Sequence, residues 1–162
     1  MLALLAIGAS LSAPRLATFF RGRTLENEAR RLLSLTHLGA ARAASEGKPV
    51  SLWLDASSGR YGLSLVGAAP GTDPRAHVFS LDADLALEAS PDRREPTHAD
   101  PTFLASPPNA TPNIRFEPDG TIEPGSLLRV TLRQRDDTAI DLVLTADGLR
   151  YELLRHDARP RS

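Results

Sequence analysis

Apolar residues crowd the start of the chain and then thin into a helical rhythm. Leu2, Leu4, Leu5, Ile7 and Leu11 form a run that reaches Pro14 and Arg15. From Leu25 onward, Leu25, Ala29, Leu32, Leu33, Thr36, Ala40 and Ala43 recur at three- and four-residue steps, which puts them on one stripe of an α-helix. Glu26 precedes Arg30 by four residues, the favourable order for an ion pair on the solvent face. Gly39, Ala40, Ala41, Ala43 and Ala44 let a sheet approach closely, and Gly47 with Pro49 forms a stop signal, so the helix is expected to end at about Glu46. Leu16, Phe19 and Phe20 lie upstream of the stripe, where a head cannot easily cover them; such an exposed apolar patch asks for lipid or partner helices.

After Pro49 the period changes to two. Val50, Leu52 and Leu54 alternate with polar positions, Ser57-Ser58-Gly59 supplies a turn, and Tyr61, Leu63 and Leu65 alternate again, the pattern of a β-hairpin. His77 to Leu81 and Leu85 to Ala89 are weaker strands joined through Asp82-Ala83-Asp84. Leu128, Val130 and Leu132 pair with Ile140, Leu142 and Leu144 across Asp136-Asp137, and Leu149, Tyr151 and Leu153 follow as a third strand. The short connections favour an antiparallel meander. Ser90 to Asn113 carries six prolines among polar residues and reads as a long exposed loop. The fold class is therefore α+β, a long N-terminal helix packed on an antiparallel, β-sandwich-like head. The divisions are 1–24 for an apolar stem, 25–47 for the head-packed helix, 48–155 for the head and 156–162 for a basic tail.

A length of 162 residues suits a stem with one head. Nineteen basic against 20 acidic side chains leave a net charge of −1, so no global field draws the protein to nucleic acid or to an acidic membrane. Zero cysteines exclude a disulfide framework, a thiolate metal site and a cysteine nucleophile. His37, His77, His98 and His156 are scattered without metal-ligand spacing. Asp82 with Asp84, and Asp136 with Asp137, fit solvated turns better than acid/base pairs. No Gly-x-Ser-x-Gly elbow or phosphate-cradling glycine loop occurs. The expectation is a non-enzyme with no cofactor and no metal. Arg155, Arg159 and Arg161 could contact phosphates, but no aromatic interleaves them to stack bases. Met1 to Ala13 lacks the leading basic residues of a signal peptide, and Ser10, Ser12, Pro14 and Arg15 interrupt it before the roughly 20 apolar residues of a full membrane span.

An apolar segment with Pro14 near its far end, running into an amphipathic helix and a β head, resembles the type IV pilin-like proteins. Within them the chain is most similar to the minor pseudopilin H family of type II secretion, the GspH/FimT-like group. Ile114-Arg115-Phe116-Glu117-Pro118-Asp119-Gly120 matches that family's hydrophobic-x-Phe-x-Pro-x-Gly segment, and Thr145-Ala146-Asp147-Gly148 fits its late turn. The family's leading Phe and early Glu are missing, so Met1 is expected to start inside the apolar segment.

The resemblance implies a subunit of the pseudopilus tip, spanning the bacterial inner membrane once with its head in the periplasm. Its implied partners are other major and minor pseudopilins, the inner membrane and a secreted substrate protein. Leu4, Leu5, Ile7, Leu11, Pro14, Leu16, Phe19 and Phe20 are the implied membrane or fibre contacts. One alternative is a FimT-like minor pilin that binds DNA through Arg155, Arg159 and Arg161 during uptake; the other is an unrelated soluble α+β domain.

Overall fold

A computed structural model of the chain describes residues 2–69, 71–90 and 111–156, the side chains of residues 2–22 and of Ser90 excepted. One helix, α1, runs from Leu2 to Glu46 and continues through Pro14. Its 45 residues correspond to roughly 70 Å of helix. It ends where the glycine and proline predict, with Gly47 at φ 64°, a left-handed conformation open to glycine at low cost.

The stripe read from the sequence is the buried face. Leu25, Ala29, Leu32, Leu35, Thr36 and Ala43 are all buried, with Leu33 and Ala40 packed at its margin. Arg30 reaches Glu26 at 2.6 Å on the opposite, solvent side.

Among the described residues eight strands follow: β1 Val50–Asp55, β2 Arg60–Leu65, β3 His77–Ser80, β4 Leu85–Ser90, β5 Asn113–Phe116, β6 Arg129–Gln134, β7 Ala139–Leu144 and β8 Tyr151–His156. The predicted hairpin is present with Val50 opposite Leu65 and Asp55 opposite Arg60. Asp55 closes its turn by accepting hydrogen bonds from the amides of Ser57 and Ser58. The predicted pairing of Val130 with Leu142 and Leu132 with Ile140 also holds.

The simple meander does not. The strands form two antiparallel sheets, ordered β3-β2-β1-β5 and β4-β6-β7-β8. The weak strands β3 and β4 are neighbours in sequence but belong to different sheets. The amide of Leu81 donates to the carbonyl of Gly59, holding the end of β3 against β2, while Leu85 to Ser90 pairs with β6. Strand β5 returns to the first sheet beside β1. Two sheets can thereby turn apolar faces to one helix, whereas a single meander leaves part of that apolar surface in water. Leu149 is also reassigned: it sits 64% exposed in the turn, and β8 begins at Tyr151.

The core joins Leu25, Leu32 and Ala43 of the helix to Val50, Leu52, Leu54, Tyr61, Leu63, Ile114 and Phe116 of the first sheet. From the second sheet it takes Leu87, Val130, Leu132, Ile140, Leu142 and Tyr151. Gly39 sets the helix-to-sheet distance, since a Cβ there would lie 2.6 Å from the ring of buried Phe116. Alanine at this position would gain about 1 kcal/mol in helix propensity. Overpacking against a ring without free space is expected to cost about 1–3 kcal/mol. Gly39→Ala should therefore lower the urea midpoint; a raised midpoint would mean that Phe116 yields easily.

Candidate assembly surfaces of helix and head

Among the described residues, polar links tie α1 to the head near each end of the buried stripe and beside the first sheet. The most enclosed is at the helix C-terminus. Arg42 is 7% exposed although it stands among alanines, and its guanidinium meets Asp73 at 2.7 Å and Glu46 at 2.8 Å. It also donates to the Arg75 carbonyl at 3.0 Å. The Asp73 carboxylate in turn accepts the amides of Leu65 at 2.9 Å and Arg75 at 3.0 Å. The Arg42 hydrogen bond, helped by those amides, pulls the Asp73 carboxyl down to about 2. The connection between β2 and β3 is thus fastened to the last turns of the helix. An open cleft lined by Lys48, Leu65, Pro74 and Arg75 lies over it.

At the first sheet, buried Glu28 accepts a short hydrogen bond from the Tyr61 hydroxyl and pairs with Arg31 at 2.9 Å. The Arg31 guanidinium lies 5.2 Å from the centre of the Phe79 ring, a cation–π distance. Tyr61 stacks on the same ring, 5.6 Å between centroids. Burial, then the Glu28 hydrogen bond, raises the Tyr61 phenol, so it stays a donor throughout the physiological range. The third link crosses to the second sheet, where Arg155 of β8 meets Glu26 at 3.1 Å. On that sheet Asp141 is 3% exposed and is held by the Thr131 hydroxyl at 2.8 Å, the His156 ring at 2.9 Å and Arg129 at 3.5 Å.

Among the described residues no set of three or more histidines and carboxylates converges on a metal position. Asp82 accepts the amide of Asp84, Asp84 pairs with Arg135 at 3.2 Å, and Asp136 accepts the amide of Thr138, so all three serve turns. What the arrangement does is fix the head on its helix and leave surfaces outward: the helix face bearing Arg30, Ser34, His37 and Leu38, and the open edges of the sheets.

The sequence-predicted residues fare unevenly. Pro14 lies within the helical backbone of α1. The side chains of Leu4, Leu5, Ile7, Leu11, Pro14, Leu16, Phe19 and Phe20 lie outside the described residues, as do Arg159, Arg161 and residues 91–110. Arg155 stands in β8 with its guanidinium on Glu26. His156, the first residue assigned to the tail, is the last residue of the same strand. Glu28, Arg42 and Asp73 were missed. The spacings Glu28 to Arg31 and Arg42 to Glu46 were available as signals, while nothing local marks Asp73. Among the described residues no helix is long and apolar enough to cross a membrane.

Residues 28–148 match the family model for type II transport protein GspH. The structure of the minor pseudopilin EpsH from the type 2 secretion system of Vibrio cholerae aligns with a TM-score of 0.56 at 15% identity. That alignment covers 81% of this chain and 96% of EpsH. A crystal structure of the same pseudopilin aligns at 0.53 and 13% identity, covering 82% and 96%. At such identity the likeness is one of fold. A comparison with curated proteins finds no match.

The Arg42 link gives a pH signature. The Asp73 carboxyl sits at about 2, below its usual 3.8, so the stabilisation it provides is complete above about pH 4 and fades as pH falls toward 2. Asp73→Asn should cost about 2 kcal/mol at neutral pH. That is less than the ~3–5 kcal/mol of a fully broken buried pair, because Glu46 and a carbonyl still hold Arg42. In urea melts from pH 7 to 2.5 the gap between the two proteins should close below pH 4; a constant gap would mean that the ion pair contributes nothing.

Proposed function

Because the chain belongs to the type II transport protein GspH family, we propose that it works as a minor pseudopilin, a structural subunit of the pseudopilus in type II protein secretion. The observation that carries this reading is the division of α1. One continuous helix of 45 residues places its described buried stripe, Leu25 to Ala43, against the head, and the apolar run lies before that stripe in sequence. Residues 1–24 then act as the stem, entering the inner membrane and later packing among the stems of other pseudopilins. Lipid tails and neighbouring apolar helices are similar environments for Leu4, Leu5, Ile7, Leu11, Leu16, Phe19 and Phe20, so transfer between them costs little. The head stands in the periplasm at the pseudopilus tip, where it contacts the other minor subunits and the secreted protein. The work is mechanical, and no catalytic group is required.

Arg155 bears on the DNA-uptake alternative. Its pairing with Glu26 gives it a structural partner on α1, so the observation favours the secretion reading.

Deleting the gene in the native host should leave folded exoproteins in the periplasm, and the full chain supplied in trans should restore their export. Normal export from the deletion strain would refute the reading. A chain that begins at Leu25 retains the whole described core and should unfold cooperatively while failing to restore export. Loss of the cooperative transition would instead place residues 1–24 in the core.

A further inference from the structure

The four sheet edges differ in how they are closed. Backbone hydrogen bonds alternate sides along an antiparallel strand, so one bond fixes which residues point outward. In β5, Asn113 and Arg115 point away from β1, and both are engaged on that side by the following loop. The Arg115 amide donates to Ser126 Oγ at 3.0 Å, the Glu123 amide donates to the Arg115 carbonyl at 2.9 Å, and the Leu127 amide donates to the Asn113 carbonyl at 3.2 Å. Strand β4 carries Glu88, paired with Arg133 at 3.2 Å, and β8 carries Glu152 and Arg155, the latter bound to Glu26. Charges of this kind keep an edge from accepting another strand.

Among the described residues, strand β3 has no such protection. The Leu81 amide donates to the Gly59 carbonyl, so Leu81, Phe79 and His77 bond toward β2 while the amides and carbonyls of Val78 and Ser80 point outward. His77-Val78-Phe79-Ser80 contains no carboxylate, lysine, arginine, proline or bulge, and Val78 is 50% exposed. Its four-residue length limits an added strand to a few bonds, which suits a short segment. Side chains flank the edge asymmetrically. On the helix-facing side stand the His77 ring, Phe79 and the half-exposed Arg31 guanidinium above it. On the outer side Val78 lies opposite Gly62, which has Trp53 over it: a Cβ on Gly62 would lie 2.6 Å from that indole. Arg60, opposite Ser80, is the nearest charge in the paired strand.

We propose that β3 is an interface edge that receives a short extended segment from a neighbouring pilin-like head, apolar where it meets Val78 and acidic where it meets the half-exposed Arg31 guanidinium. The inference rests on the pseudopilin reading for the identity of the neighbour. Backbone bonds to Val78 and Ser80 supply the affinity, and the asymmetry of apolar and cationic flanks selects the sequence.

The test uses the full chain in its native host, with Val78 replaced by the photo-crosslinker p-benzoylphenylalanine. The expected product joins this chain to another pilin-like subunit within an extended segment that holds at least one acidic residue. Ser80→Pro removes an outward amide without touching the β2 ladder and should abolish that product, while Ser80→Ala should keep it. Export should fall about tenfold with Ser80→Pro and with Val78→Lys, a second variant that charges the edge without altering the backbone, and stay normal with Ser80→Ala. A crosslink only to a second copy, no crosslink, a product indifferent to Ser80→Pro, or normal export with Val78→Lys would overturn the proposal. Normal export in the strain lacking the gene would overturn the secretion reading instead, and the crosslinked partner would still decide whether the edge is occupied.

Discussion

Leu25, Leu32 and Ala43 lie along one side of α1 at 0–1% exposure, and the inner residues of two separate sheets close on them. Neither sheet has a second apolar layer of its own among the described residues, so the helix is the surface that each needs to bury its inner face. This constraint explains why small residues cluster at Gly39, Ala40 and Ala43, where side-chain bulk would separate helix from sheet. It also explains the strand order. A chain that must place apolar strands on both flanks of one helix has to cross between sheets, which it does at Leu81 to Asp84, again between β4 and β5, and a third time between β5 and β6.

The elements were legible where periodicity was unambiguous. The stripe of α1, its stop at Gly47, the hairpin from Val50 to Leu65 and the β6–β7 pairing all follow from spacing and turn chemistry alone. Which sheet a short strand joins is a different matter. His77–Ser80 and Leu85–Ser90 each carry a weak alternating pattern, and their assignment depends on distant partners, β2 for one and β6 for the other. Leu149 was misplaced for a related reason: the turn extends past Gly148 to an exposed leucine, and alternation cannot tell the last turn residue from the first strand residue.

Candidate functional residues were harder to read than the fold. Arg42 and Glu28 sit on the helix with intrahelical partners at ordinary spacing, so they look like solvent-facing ion pairs. What makes them different is Asp73 in one case and Tyr61 in the other, 31 and 33 residues away, which only the closed fold brings into contact. His156 illustrates the reverse error. A basic residue near the end of a chain invites a tail reading, yet β8 extends to His156, and its neighbour Arg155 has a partner on the helix.

Buried ionic links of this kind contribute less net stability than the apolar core, because desolvation offsets most of their attraction. Their consequence is geometric. An apolar stripe alone tolerates some sliding and rotation of a helix against smooth sheet faces, since dispersion contacts have little directional preference. Arg42 on Asp73 and Glu28 on Tyr61 demand one rotation and one height, and they contact the loop after β2 and the first sheet; the exposed Glu26–Arg155 pair is a weaker tie to the second sheet. Directional links of this kind resist shear between helix and head in a way that additional burial of leucine would not.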